Sequence, residues 1–187
     1  MTSLRASLLA VVVMLCVLLG CPFDSWGAQA PAEGLMASVE LPLKTSLPLA
    51  ATALEHCEHR GAAVSVSVVD RHGGLQVYLR SDQAAPHTRD LSLQKAYTAA
   101  SLAAAQGFHT TGELAKAMGK GPLPVGQLGL PAAPVPGITP VPGGLVLRWQ
   151  GELLGGIGVS GASQGSIDEE CAIAAEEGLL QSLEQAG

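Results

Sequence analysis

The chain has 187 residues, a formal net charge of −6 at pH 7, and a composition that is 48% hydrophobic but only 3% aromatic. Lys and Arg form no cluster, which argues against nucleic acid as a partner because phosphate binding needs concentrated positive charge. With 23 glycines and few large side chains, the folded part is expected to have a core of small aliphatic residues in close contact.

The first 30 residues have the features of an export signal. Arg5 supplies positive charge near the start, and the apolar run over residues 8–19 is short for a membrane span. The sequence Leu-Leu-Gly-Cys at residues 18–21 resembles a lipobox, in which Cys21 would be lipidated, whereas Ala28 and Ala30 fit an ordinary signal-peptidase site. Both alternatives predict an exported bacterial protein that is periplasmic or lipid-anchored in the cell envelope.

The rest of the chain divides into a linker or weak edge strand at residues 31–44 and a single domain at residues 45–187. Apolar spacing predicts a helix from Pro48 to Gly61 and further helices over residues 90–106, over residues 110–118 and from residue 166 onward. Alternating apolar residues predict one hairpin over residues 63–80 and another over residues 143–162. The order α-β-β-α-α-β-β-α indicates an α+β fold whose antiparallel sheet is built from two β-hairpins and flanked by helices.

Two segments suggest surfaces that could hold a ligand. Residues 121–142 are rich in Pro and Gly and carry no charge, which favours an ordered apolar loop lying over another part of the fold. In the last predicted strand, Gly155, Gly156 and Gly158 leave one face without side chains, which marks a close approach by another group. That group is either a tightly packed helix or a bound planar molecule, and on the second interpretation the three glycines are predicted cofactor-binding residues.

Five short motifs occur in order along the domain: Val68-Val69-Asp70-x-x-Gly73-Gly74, Lys95-Ala96-Tyr97-Thr98-Ala99, Gly143-Gly144, Ile157-Gly158-Val159-Ser160-Gly161 and Asp168-Glu169-x-Cys171. Together they resemble the GlcG/HbpS-type family of small haem-binding domains, which is also found fused to PduO-type cobalamin adenosyltransferases. The resemblance covers residues 45–184 and departs from the family pattern at Val146, where proline is common. It implies a three-layer arrangement of sheet and helices, assembly into homo-oligomers, and binding of haem or a related tetrapyrrole.

Haem needs an apolar slot, an axial ligand for its iron and cations for its two propionates. The resemblance fixes no iron ligand. Among the histidines we favour His87, in the polar segment just before a predicted helix, as the metal ligand, and His109 is the second candidate. Arg80 and Lys95 are predicted to contact the propionates. The predicted function is therefore an exported small-ligand-binding protein that binds or senses haem.

Two alternatives to haem binding remain at this stage. One is a non-haem accessory subunit of an exported oxidoreductase or uptake system. The other is an enzyme that transfers protons through Asp70, Lys95 and Tyr97, provided that these side chains converge. Without such convergence, Asp70 would shape the hairpin turn and Lys95 would pair with a carboxylate, and we expect a binding protein rather than an enzyme.

Only two cysteines lie within the predicted domain, Cys57 in the first helix and Cys171 in the last. Both are expected on the inner faces of helices that flank the sheet, and an oxidising compartment would allow them to form a disulfide. The alternative is a pair of small buried side chains that never meet.

Overall fold

A four-stranded antiparallel sheet lies at the centre of the domain. The computed structural model describes residues 34, 37–119 and 135–186. Its strands are β1 (Ser65–Asp70), β2 (Leu75–Arg80), β3 (Gly144–Trp149) and β4 (Glu152–Ser160), in the spatial order β2-β1-β4-β3. Both predicted hairpins are present, and they join through β1 and β4, which pair from Ser65↔Ser160 to Asp70↔Gly155.

The turns of the two hairpins follow from their sequences. In the first, the Asp70 carboxylate accepts hydrogen bonds from the backbone N–H groups of His72 and Gly74. In the second, Gln150 and Gly151 have φ angles of 50° and 86°, which is the pair of positive values that a two-residue type I′ turn requires. Short-range chemistry therefore determines where each strand reverses.

Helices cover both faces of the sheet. On one face lie α1 (Leu43–His59) and α4 (Gly165–Ala186), and on the other lie α2 (Thr88–Thr98), its π-helical continuation Ala99–Ala103, and α3 (Thr111–Gly119). The larger apolar cluster fills the space under α1 and α4, and smaller clusters fill the space under α2 and α3. This arrangement confirms the predicted α+β fold with helix, sheet and helix layers.

The predicted disulfide between Cys57 and Cys171 is present and joins α1 to α4. The two Cα atoms are 5.6 Å apart, and neither residue is exposed to solvent. The bond lies within the larger apolar cluster, so it crosslinks the helical layer from inside the core.

The structure differs from the predicted bounds or orientation at the edges of three elements. Residues 38–42 form no strand, in agreement with the linker alternative for this segment. Helix α1 begins at Leu43 rather than Pro48 because the Pro42 carbonyl accepts hydrogen bonds from the N–H groups of Thr45 and Ser46. Helix α2 begins at Thr88, before the predicted start of this helix at residue 90. The alternation of β2 predicts an inward Leu75, but this residue is 53% exposed, since the β1–β2 register shifts between Val68 and Val69.

The predicted export signal with Cys21, and residues 121–134 of the predicted uncharged loop, lie outside the described residues. Within the described part of the chain, no helix has the length and apolar character needed to cross a membrane.

Candidate functional site

A cavity of about 640 Å³ opens where β4 ends and where both α2 and α4 begin. The short segment after α1 forms another part of its wall. The residues that matter most for its chemistry come from α2, the end of β4 and the first turn of α4, and they are His87, Leu91, Lys95, Ser160, Ile167 and Asp168. A cavity of this size falls in the range of small-molecule sites.

A buried ion pair forms one side of the cavity. The Lys95 ammonium group lies 2.7 Å from Asp168 Oδ2 and donates a second hydrogen bond to the Val159 carbonyl oxygen at 2.8 Å. The other carboxylate oxygen, Asp168 Oδ1, accepts a hydrogen bond from the Ala162 N–H. The two side chains are 1% and 4% exposed. This network fixes α2, β4 and α4 relative to one another at the cavity, and it confirms the expectation that Lys95 pairs with a carboxylate.

The pKa of Lys95 is lowered from its ordinary value, chiefly because burial disfavours the charged ammonium. The Asp168 carboxylate opposes this shift by attraction and hydrogen bonding, and Glu169 opposes it less strongly. The ammonium is thus a desolvated cation whose charge is balanced by one close carboxylate.

His87 lies at the opening of the cavity, at the residue just before α2. Its side chain is exposed, and its carbonyl oxygen accepts the first hydrogen bond of the helix from the Leu91 N–H. Within the described residues the imidazole ring has no hydrogen-bond partner, so both ring nitrogens are free to bind a metal or a ligand. Of the predicted site residues, His87 and Lys95 are brought to the same cavity.

His109 and Arg80 do not line this cavity. The His109 ring lies before α3 and contacts the Glu176 carboxylate of α4, with Nε2 3.0 Å from Oε2. Arg80 is exposed at the end of β2. The structure therefore does not place these two predicted residues beside a ligand that His87 would bind.

The predicted role of Gly155, Gly156 and Gly158 as the floor of a ligand site does not fit the packing, because backbone atoms of the protein lie against all three glycines. A Cβ atom on Gly158 would overlap the Ser92 carbonyl oxygen of α2, and one on Gly156 would overlap the Ala96 carbonyl oxygen. Gly155 has a φ angle of 154° and lies against the Val69 carbonyl oxygen. Gly156 and Gly158 therefore allow the helix that begins with α2 to approach the sheet, whereas Gly155 allows a close approach of the β1 backbone.

Asp70, Lys95 and Tyr97 do not form one site. The Asp70 carboxylate is engaged in the first hairpin turn, whereas Lys95 bonds at the cavity near the other end of β1 and β4. Tyr97 is two residues from Lys95 on the same helix, and such residues do not face each other. Its ring packs against Gly73 and Gly137 instead. Proton transfer through these three side chains has no geometric support.

Two residues of the cavity are not predicted from the sequence. Asp168 belongs to the last of the five motifs, but an aspartate in a first helical turn is usually explained by helix capping and the dipole. Ser160 lies at the end of a predicted strand. That position argues against a catalytic nucleophile, and the sequence alone suggests no other function for this residue. The sequence signal that could have identified them is that each belongs to one of the five motifs. The motif of Ser160 ends β4, and the motif of Asp168 lies in the first turns of α4. Among the described residues, no group of three or more His, Cys, Asp or Glu side chains could hold a metal ion.

Comparison with known proteins gives a consistent set of relatives. The model of the HbpS-like family, described as haem degrading protein HbpS-like, matches residues 41–177. Crystal structures of HbpS, one of them a double mutant from Streptomyces reticuli, are 34% identical with a TM-score of 0.67, and the double mutant aligns over 82% of this chain and 96% of its own. The ORFY protein of Klebsiella pneumoniae is 27% identical with a TM-score of 0.66, over 81% of this chain and 98% of its own.

A further relative was crystallised with haem. The PduOC complex with haem is 28% identical to this chain, with a TM-score of 0.60 over 74% of this chain and 94% of its own. No curated protein matches the chain significantly.

Proposed function

Because the chain belongs to the HbpS-like family, we propose that it binds haem or a related tetrapyrrole in the cavity beside His87. The observation that carries this proposal is the exposed imidazole of His87 at the mouth of a cavity large enough for a small-molecule ligand. The solved PduOC complex supports haem as the ligand class.

The residues of the cavity fit such a ligand. Ala62, Ala63, Leu91 and Ile167 supply apolar wall, and His87 supplies a nitrogen of the type that binds haem iron. Bound haem would supply an iron centre whose reactivity depends on its axial ligand and on the polarity around it. We assign two roles to this chain. His87 would coordinate the haem iron, and the cavity wall would shield one edge of the ring from water.

Haemin titration followed by absorption spectroscopy tests the proposal. The full chain is expected to shift the Soret band at micromolar haemin, and His87→Ala is expected to lose that shift and to weaken binding by at least about tenfold. His72→Ala is the matched control, because His72 also lies beside a turn but does not line the cavity. No Soret shift with the wild-type chain would contradict haem binding and would favour the accessory-subunit alternative.

We propose binding rather than catalysis as the primary role. The support is that Asp70, Lys95 and Tyr97 contact separate parts of the fold. Since the family is named for haem-degrading proteins, the haem-loaded chain should also be followed over hours with a reductant present. A stable Soret band is expected, and steady bleaching that depends on the protein would contradict a binding role alone.

We also propose that the protein is exported. The support is the signal-like sequence of residues 1–30 together with a buried Cys57–Cys171 disulfide, a bond that persists in oxidising compartments. Cell fractionation with fatty-acid labelling tests both forms. Label on Cys21 in the membrane fraction supports the lipoprotein, and an unlabelled periplasmic chain supports ordinary cleavage. A cytoplasmic chain with reduced cysteines would contradict export.

We further propose that the chain forms a homo-oligomer. The support is the presence of exposed apolar side chains on two elements, Leu43 and Leu47 on α1 and Leu75 on β2. Light scattering coupled to size exclusion is expected to give a mass of at least twice that of the mature chain, and a monomer at micromolar concentration would contradict the proposal.

A further inference from the structure

The hydroxyl group of Ser160 has no hydrogen-bond partner in the part of the chain that the structure describes. It is the last residue of β4, is 2% exposed and lines the cavity. Within the described residues its Oγ makes no hydrogen bond. The next hydroxyls along the sheet are different, since Ser65 bonds Thr88 Oγ1 and Ser67 bonds Ser92 Oγ. The Ser160 oxygen is not sealed from solvent, so it is reached from the cavity and is available to a group that enters there.

Lys95 has donor capacity left beside Ser160. An ammonium group has three N–H donors, and those of Lys95 bond the Val159 carbonyl oxygen and Asp168 Oδ2. Within the described residues the third donor has no acceptor. Val159 immediately precedes Ser160, so the remaining donor and the free hydroxyl belong to the same corner of the cavity.

The start of helix α4 favours an anion at this corner. Helix α4 has 22 residues and begins at Gly165, which lines the cavity. The first N–H groups of a helix have no intrahelical acceptor, and its N-terminal end is electropositive. The two carboxylates that act on Lys95 are both engaged: Asp168 accepts from Lys95 and the Ala162 N–H, and Glu169 accepts from the N–H groups of Gly112 and Gly143.

We propose that this corner is a carboxylate subsite in which Ser160 Oγ and Lys95 Nζ donate hydrogen bonds to one carboxylate group of the ligand. The inference rests on the proposed function, and for haem the carboxylate is a propionate. The same two donors would also bind the carboxylate of a short free acid. The subsite would make binding selective. It would favour ligands with a free carboxylate over ligands without one, a distinction that an apolar slot and a histidine do not make.

Comparison of haemin with its dimethyl ester tests the subsite, because the ester lacks free carboxylates but keeps the ring and iron. The full chain is expected to bind haemin about tenfold more tightly than the ester, the difference expected for a hydrogen bond to a charged group. Ser160→Ala should remove most of this difference by weakening haemin alone. Ser67→Ala is the matched control, since Ser67 is also buried on the same strand pair but bonds Ser92 rather than the cavity.

A second measurement separates this inference from haem binding itself. Propionate ion is added to the haem-free chain, and backbone amide shifts are followed by NMR for the wild type and Ser160→Ala. Saturable shifts at residues 160–168 in the wild type, lost in Ser160→Ala, would support the subsite even if haemin does not bind. Equal binding of haemin and ester would overturn the subsite while leaving haem binding intact. Where neither tetrapyrrole binds, the absence of propionate shifts would overturn it.

Discussion

The ammonium group of Lys95 and the carboxylate of Asp168 lie 2.7 Å apart although 73 positions separate them in the sequence. Both are almost completely buried, and both line the cavity that contains His87. The pair therefore has a structural role, which is to hold α2 and α4 against the end of β4, and it also sets the polarity of the proposed ligand site.

Removing one member of this pair is expected to destabilise the fold strongly. Asp168→Asn leaves the Lys95 cation buried without a counter-charge, so the free energy of unfolding should fall by about 3–5 kcal/mol. Lys95→Met together with Asp168→Asn should cost much less than the sum of the single changes, because no buried charge is then unpaired. Urea unfolding of the four proteins in this cycle measures the coupling, and strictly additive effects would contradict it.

Lys95 also gives the fold a specific dependence on pH. Burial lowers its pKa in the folded state, so in the pH range just below its ordinary value of 10.5 the unfolded chain binds more protons than the folded one. In that range stability contributed by this group rises with pH. The difference in unfolding free energy between wild type and Lys95→Met should therefore move in favour of the wild type as pH increases toward 10.5.

Urea titrations of both proteins at several alkaline pH values and constant ionic strength measure that difference. Subtracting the variant removes the contribution of titrating groups that do not interact with Lys95. A difference that moves in favour of Lys95→Met with rising pH would contradict the lowered pKa.

The glycines of β4 are expected to be sensitive to the addition of a single methyl group. Gly158→Ala places a Cβ atom against the Ser92 carbonyl oxygen and the Ala96 N atom, both backbone atoms of α2, so the helix must move away from the sheet. We expect a loss of at least about 2 kcal/mol, the range of overpacked cores. Gly178→Ala on α4 is the control, because its added Cβ would have no described atom within 4 Å and alanine favours the helix. Equal thermal midpoints for the two variants would contradict the packing explanation.

The disulfide is expected to supply a large share of the stability. Cys57 and Cys171 are separated by 114 residues, and closing a loop of that length restricts the unfolded chain by about 4–5 kcal/mol in the loop-entropy model. Replacing both with alanine should lower the free energy of unfolding by a similar amount and should leave the secondary structure of the folded state unchanged. Circular dichroism and urea unfolding check both points, and an unchanged urea midpoint would contradict a stabilising bond.

The sequence predicts those parts of the fold that depend on short-range signals. Asp70 and the Gln150-Gly151 turn determine the hairpins locally, and Thr110 Oγ1 caps the predicted helix α3 by accepting a hydrogen bond from the Glu113 N–H. The role of the β4 glycines cannot be decided in the same way, because a helix and a planar ligand both require a face without side chains. Choosing between them needs the position of α2, which depends on contacts across the whole domain.

The residues of the candidate site are also only partly predictable from the sequence, because their grouping depends on long-range contacts. The chemistry of His87 and Lys95 points to a ligand site, yet only the chain fold brings them to one cavity and leaves His109 and Arg80 elsewhere. The sequence predicts the partner of Lys95 only as some carboxylate, since pairing over 73 positions has no periodic signal. The hydroxyl of Ser160, which has no partner among the described residues, likewise cannot be identified as an available donor until its surroundings are known.

The two histidines predicted as haem ligands can be distinguished by their positions. The His109 side chain is 51% exposed and contacts Glu176 rather than the cavity. His109→Ala is expected to lower stability by about 1–2 kcal/mol, because the Glu176 side chain is only 12% exposed and loses its hydrogen-bond partner, and to leave the haemin titration unchanged. His87→Ala should have the opposite profile, with little change in stability and loss of the Soret shift, because its ring is exposed and makes no hydrogen bond within the described fold. Parallel thermal melts and haemin titrations of both variants decide the assignment. Loss of the Soret shift in His109→Ala with retention in His87→Ala would move the haem site to the surface between α3 and α4.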